Sequence, residues 1–216
     1  MLKEMKYDNF KKAIFPARWA TLMDFLHKNE EKLAGWAVAK GIVTIEDIKR
    51  KEQKGEEEFN KWKNILLFEV FSRTMGVKVL QRRYGWEKAD KFIQMPLSCH
   101  YDFIAPDGRR YECKFRSNDH DQYTTDKIDE EKKDWVTTVT MDDIDLLYML
   151  WDGIVRVYDF SKPDATGEWP KYNNSVSHYG LNADTKYVIK PYVEWYPSSA
   201  IWTATTTAAP LIVYEQ

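Results

Sequence analysis

The chain of 216 residues contains only two cysteines, Cys99 and Cys113, too few for a disulfide framework or a four-cysteine zinc site. It also lacks an excess of either charge. Lys and Arg number 32 against 34 Asp and Glu, a net of −2, so no overall positive field holds a polyanion. Any nucleic-acid contact must use a local basic patch. The opening residues, Met1 to Lys6, show no apolar leader, and no apolar run suits a membrane span. The longest uncharged stretch, 195–214, is broken by Pro197, Pro210, two serines and four threonines. There is no glycine-rich phosphate loop, no nucleophile elbow and no paired-histidine zinc motif. What remains is a soluble protein of a reducing compartment, expected in the cytoplasm. Ten Phe, nine Trp and thirteen Tyr supply a core, and 31% charged residues beside 44% hydrophobic ones exclude disorder.

Residues 1–55 read as a helical segment. Leu22, Phe25, Leu26, Leu33, Trp36 and Ala37 fall near helical spacing, Gly41 is a stop, and Thr44 with Asp47 forms a capping-box pattern for a short helix through Lys51. Gly55 and the acids Glu56 to Glu58 mark a boundary and a new helix start. From Phe59 the spacing of Trp62, Leu66 and Val70 predicts an amphipathic helix ending near Gly76, with a strand over Val77 to Leu80. Thr124 to Trp135 reads as a charged helix. Asp145 to Trp151 and Ile154 to Phe160 flank Asp152-Gly153, a two-residue hairpin signal. The tail from residue 161 to 216 holds one clear strand, Tyr187 to Trp195, and reads as an extension packed on a core spanning 56–160.

The chemistry concentrates in one hairpin. Residues 98–105 and 110–116 alternate in polarity around Pro106-Asp107-Gly108, the signature of a three-residue loop built from a type I turn and a glycine bulge. That loop pairs Ala105 with Arg109 and, by continuation, His100 with Lys114 and Asp102 with Glu112. One face then collects Cys99, Tyr101, Phe103, Ala105, Tyr111, Cys113 and Phe115, which makes both cysteines buried thiols. The other collects Asp102, Glu112, Lys114 and Arg116. Two carboxylates across a strand pair, with Cβ atoms about 4.5–5.5 Å apart, repel each other. A positive group belongs between them: Lys114 is one candidate and a divalent cation is another. Mg²⁺ prefers oxygen ligands and is commonly held by one or two carboxylates, so Asp102, Glu112 and a nearby carbonyl make an open site for it. The alternative is a solvated polar face neutralised by Lys114 and Arg116.

An acid on one strand, followed on the next by an acid, any residue and a lysine, resembles the PD-(D/E)xK, or restriction-endonuclease-like, nuclease superfamily. Here the residues are Asp102, Glu112 and Lys114, with Cys113 intervening. The resemblance covers roughly Phe59 to Phe160. It implies an α/β fold in which a mixed β-sheet is flanked by helices, with the N-terminal helical segment and a β-containing C-terminal extension added. It also implies that Asp102, Glu112 and the Cys113 backbone carbonyl bind Mg²⁺, which Mn²⁺ can replace, and that Lys114 assists the attacking water. Many members carry a further glutamate on the preceding helix, and Glu69 matches by placement. Tyr101 stands where the motif's proline would be. The short pattern recurs at Glu30, Asp47, Glu130 and Asp184, but only Glu112 has an acid placed across a hairpin.

The function expected from the resemblance is a Mg²⁺-dependent endonuclease hydrolysing DNA, of restriction type or of a phage structure-specific type, with a homodimer among the assemblies it allows. The alternative is a non-catalytic nucleic-acid-binding or interaction module that retains the nuclease fold. Arg82, Arg83, Arg110 and Arg116 are candidate phosphate contacts, and Asn118 and Gln122 lie in a loop after the catalytic strand that could touch substrate. Asp142, Asp143 and Asp145 form an acid cluster without a calcium-loop glycine, which suits solvent or a helix start.

Overall fold

A computed structural model describes residues 18–86, 91–117, 126–129, 144–151, 153–159, 178–181 and 185–189. Four helices lead the chain: α1 over 18–28, α2 Glu30–Ala39, α3 Ile45–Glu52 and α4 Glu56–Tyr84. The expected boundary signals operate as written. Gly41 adopts φ 69° just beyond α2. At α3 the Thr44 hydroxyl accepts from the Asp47 N–H at 3.0 Å while the Asp47 carboxylate accepts from the Thr44 N–H at 3.1 Å, a complete capping box. The acids Glu56, Glu57 and Glu58 occupy the first turn of α4.

Helix α4 does not end at Gly76. It runs 29 residues to Tyr84 and is closed by Gly85 in the left-handed conformation, φ 67°. The strand expected at Val77 to Leu80 is therefore helical. Residues 70–80 are buried on every side, polar Ser72, Arg73, Thr74 and Lys78 included, so this stretch is a central helix rather than a strand. Phe25 of α1 stacks edge-on against Phe71 from one side, and Phe115 of the sheet meets Phe71 from the other. Leu22, Leu26, Leu33 and Trp36 share one apolar core with Leu66, Val70 and the sheet, so the N-terminal helices are part of the same body.

The strands are β1 Ile93–Gln94, β2 Phe103–Ile104, β3 Arg110–Phe115, β4 Asp126–Asp129, β5 Ile144–Met149, β6 Val155–Asp159, β7 His178–Leu181 and β8 Thr185–Ile189. Six form a mixed sheet in the order β1-β2-β3-β5-β6-β8, and β4 and β7 form a separate antiparallel pair. Only the β3–β5 pairing is parallel among the described strands. The fold is α/β, as expected. No helix among the described residues is long and apolar enough to cross a membrane.

Three further expectations change. Residues 126–129, read as part of a charged helix, are a strand paired to β7, and the rest of 124–135 lies outside the described residues. Asp145 is not at a solvated helix start but is buried at 2% exposure within β5, while Asp142 and Asp143 lie outside the described residues. The β5–β6 loop has three residues, not two. The Leu150 N–H donates to the Ile154 carbonyl, and the Gly153 N–H closes the turn onto Leu150. Gly153, φ 85°, is its bulge residue, which a two-residue reading of Asp152-Gly153 had placed inside the turn. Of the strand expected at 187–195, β8 contains residues through Ile189, and 190–195 lie outside the described residues.

Gly76 sets the distance between α4 and the sheet. A Cβ at this position would stand 2.5 Å from Cys113 Sγ and 3.3 Å from Leu147. Gly76→Ala gains about 1 kcal/mol of helix propensity but overpacks the helix–sheet contact by about 1–3 kcal/mol. A net loss of stability in urea melts is expected, with partial recovery in Gly76→Ala/Cys113→Ala. A Gly76→Ala protein as stable as the parent would show that α4 and β3 part without cost.

Candidate active site

The hairpin forms as its loop requires. Gly108 lies at φ 86°, its N–H donates to the Ala105 carbonyl at 2.9 Å, and the Ala105 N–H donates to the Arg109 carbonyl at 2.8 Å. The register is the expected one, Phe103 with Tyr111 and Ile104 with Arg110. The pairing then stops. Residues 98–102 are turns and bends rather than strand, and the Asp102 N–H donates to the Tyr111 carbonyl at 2.8 Å instead of entering a pair with Glu112. The bend is a bulge at the end of the ladder. It overturns the extrapolated pairs: Asp102 is not across the ladder from Glu112, exposed His100 is not paired with Lys114, and Cys99 is only half-buried.

The bend brings Asp102 to the edge of β3 by another route. Its Oδ2 accepts the Cys113 N–H at 2.7 Å, so a carboxylate takes the hydrogen bond that a continuing β2 would have supplied. Backbone N–H and C=O of one strand residue leave the same edge, so the Cys113 carbonyl faces this opening too. Asp102 and Glu112 are both buried, at 2% and 3% exposure.

A cation outside the hairpin meets Asp102. It is Arg73, from the middle of α4 and 1% exposed. Its Nη2 lies 2.9 Å from Asp102 Oδ1 and its Nε 3.2 Å from Glu69 Oε1. Its Nη1 donates to the Asp102 carbonyl at 3.1 Å and to the Met95 carbonyl. Sequence reasoning missed this residue. The signal was present: Arg73 follows Glu69 by four positions, about one helical turn, on a helix expected to be amphipathic. Lys114 is farther out, 21% exposed at its side chain, with Nζ 3.8 Å from Glu112 Oε1.

Among the described residues, three carboxylates thus face two cations, one negative charge in excess. Burial pushes the Asp102 carboxyl well above the ordinary aspartate range, and the nearby charges of Glu112 and Glu69 push it further against the pull of Arg73. Burial also opposes ionisation of Glu69. A hydrogen bond from Asp102, with attraction to Arg73 and Lys114, outweighs it and holds Glu69 below its ordinary value. The two acids therefore diverge: the hydrogen bond between them raises Asp102 and lowers Glu69. The Cys113 thiol is driven up by burial and then by the three acids, which keeps it neutral and unreactive.

The donor set fits a hard divalent cation in kind: carboxylate oxygens and a strand-edge carbonyl carrying a surplus of one negative charge. Among the described residues, no three His, Cys, Asp or Glu side chains are already grouped as a metal site. Both Asp102 oxygens are engaged, by Arg73 and by the Cys113 N–H. A cation would therefore have to share Asp102 with Arg73.

The other candidates scatter. Arg110 stacks its guanidinium 5.6 Å from the Tyr101 ring centroid, and Arg116 donates to the Tyr148 hydroxyl at 3.1 Å while covering that ring. Arg83 is exposed in the last turn of α4. Arg82 belongs to the same turn, its side chain outside the described residues, as are Asn118 and Gln122.

Removing Arg73 leaves the acids without their buried cation and the Met95 carbonyl without its guanidinium donor. Arg73→Met is expected to cost about 3–5 kcal/mol in urea melts, and a loss below about 1 kcal/mol would overturn its structural role. A pH effect follows from the raised Asp102 carboxyl. A carboxyl raised in the folded state contributes stability that is present below the ordinary aspartate value and is lost as pH rises through its folded value. Asp102→Asn removes that loss. Its stability relative to the parent is expected to climb as pH rises above the ordinary aspartate value, and a pH-independent difference would refute the raised carboxyl.

Comparisons of the chain with protein-family models, with curated proteins and with solved structures return no match, so the reading of this site rests on its own residues.

Proposed function

We propose that the chain is a Mg²⁺-dependent nuclease of the PD-(D/E)xK type that hydrolyses phosphodiester bonds in DNA. The observation that carries this reading is the meeting of Glu69, Asp102, Glu112 and Lys114 where β2 turns away from β3. The order of elements supports it as well: a helix bearing the first acid, a strand, a hairpin bearing the others, then a strand parallel to β3.

In this reading Asp102, Glu112 and the Cys113 carbonyl hold the ion, and Glu69 supports Asp102 from α4. A bound Mg²⁺, or Mn²⁺ in its place, polarises the phosphate and lowers the pKa of water. Lys114, the most solvent-facing cation of the cluster, orients the attacking water and offsets charge building on the phosphoryl oxygens. Arg73 keeps the Asp102 carboxyl and its backbone carbonyl in place while the substrate changes charge.

Lys114→Ala and Asp102→Asn are each expected to lower Mg²⁺-dependent plasmid cleavage by at least about a hundredfold, with the far-UV circular dichroism of the parent retained. Parental cleavage rates in both variants overturn the assignment. One observation favours a second reading, a non-catalytic module that keeps the fold: Arg73 already occupies the place a cation would take beside Asp102. Titration with Mg²⁺ or Mn²⁺ separates the two. A rise in melting temperature together with cleavage supports the nuclease, whereas oligonucleotide binding with neither supports the module.

A further inference from the structure

A concavity is lined in part by residues 96–98 of the loop that leads to Asp102. It has a volume of about 310 Å³ and opens between α3, the start of α4 and residues 96–98. Val43, Leu97 and the half-buried Trp62 give it apolar walls, and Arg50 and Lys51 line it from the last turn of α3. The Lys51 ammonium stands 5.8 Å from the Trp62 ring centroid. One acid, Asp47, also lines it. Its charge is committed to the N-terminus of α3 and to Arg50: it accepts from the Thr44 N–H and hydroxyl, and Arg50 Nη2 bonds its Oδ1. An apolar pocket of this size with a few convergent polar groups has the form of a ligand site.

We infer that this cavity holds one unpaired nucleotide of the substrate strand, its base against Trp62 and its phosphate on Arg50 and Lys51. The inference rests on the nuclease reading and extends it to a second point of substrate contact. Three observations favour a nucleotide over another occupant. A flat aromatic wall beside two cations matches the two halves of a nucleotide, and stacking on an aromatic ring tolerates any base. The chain has no overall positive field, so a strand must be held by local basic groups; Lys49, Arg50 and Lys51 follow one another in the last turn of α3, where Arg50 also bonds Asp47 and Glu52 ends the helix. The loop also joins the two places. Leu97 lines the cavity and its N–H donates to the Ile42 carbonyl at 3.0 Å. Two residues earlier, the Met95 carbonyl accepts from Arg73 while the Met95 N–H donates to the Asp102 carbonyl at 2.9 Å. A strand seated in the cavity is thus led along one braced loop toward the acids.

The test measures binding of a labelled oligothymidylate to the full chain without divalent metal, with plasmid cleavage in Mg²⁺ followed alongside. Arg50→Glu/Lys51→Glu changes exposed or half-buried side chains and is expected to weaken binding at least about tenfold. Trp62→Leu keeps an apolar wall without a stacking face and is expected to weaken it about tenfold. Lys28→Glu/Lys32→Glu places the same charge change on α1 and α2 and is expected to cost less than about threefold. Equal weakening by the two charge pairs, or parental affinity in Trp62→Leu, overturns the nucleotide pocket. Cleavage by the parent with unaltered binding in the pocket variants sinks the pocket and leaves the nuclease. Pocket-dependent binding without cleavage by the parent sinks the nuclease and leaves the pocket.

Discussion

A single buried guanidinium governs the relation between the central helix and the sheet. Taking an arginine out of water is costly unless its donors are matched, and the planar fork of Arg73 is matched on several sides. Glu69 answers it from the same helix, Met95 from the residue after β1, and Asp102 with both its side chain and its carbonyl. Those partners come from three places in the chain, so the ion network forms only when α4, β1 and the bend before β2 are docked together. The same network sets where β2 stops pairing with β3. Asp102 is held toward α4, its carboxylate caps the freed Cys113 N–H, and the sheet opens at that residue.

Local chemistry was legible in the sequence wherever one or two residues decide a conformation. Pro106-Asp107-Gly108 specified its turn and the register of the first ladder pairs, and Thr44 with Asp47 specified the start of α3. Errors arose where distant packing decides. Val77 to Leu80 has strand-like composition, yet it lies between the N-terminal helices and the sheet, and burial on all sides erases the helical periodicity that would have marked it. Asp126 to Asp129 looks like a solvated helix until β7, some fifty residues later, supplies its pairing partner.

The active-site reading divides along the same line. Asp102, Glu112, Lys114 and Glu69 were identified as a group because their types and order carry the chemistry. Their mutual arrangement was extrapolated from a ladder that in fact ends at Phe103. An unbroken hairpin would have placed Asp102 and Glu112 on one flat face, with Lys114 as their neighbour. The bulge instead turns Asp102 toward α4, and a cation from α4 meets it there. Charge balance predicted that a positive partner must exist, but a pairing rule within one hairpin could not say that it would come from a helix nearly thirty residues upstream.

The surplus of one negative charge among the described side chains of this cluster fits the proposed chemistry. A purely structural network would match acids with bases, because an unbalanced buried charge destabilises the fold. Here burial and the neighbouring acids raise the Asp102 carboxyl, which lowers the cost of the imbalance. In the proposed reading a divalent cation would offset the same charge. Arg73 makes such binding structurally tolerable, since it keeps Asp102 fixed through the backbone carbonyl as well as the carboxyl. The stability of the fold and the proposed chemistry therefore draw on the same five side chains, with Arg73 serving mainly the first and Lys114 mainly the second.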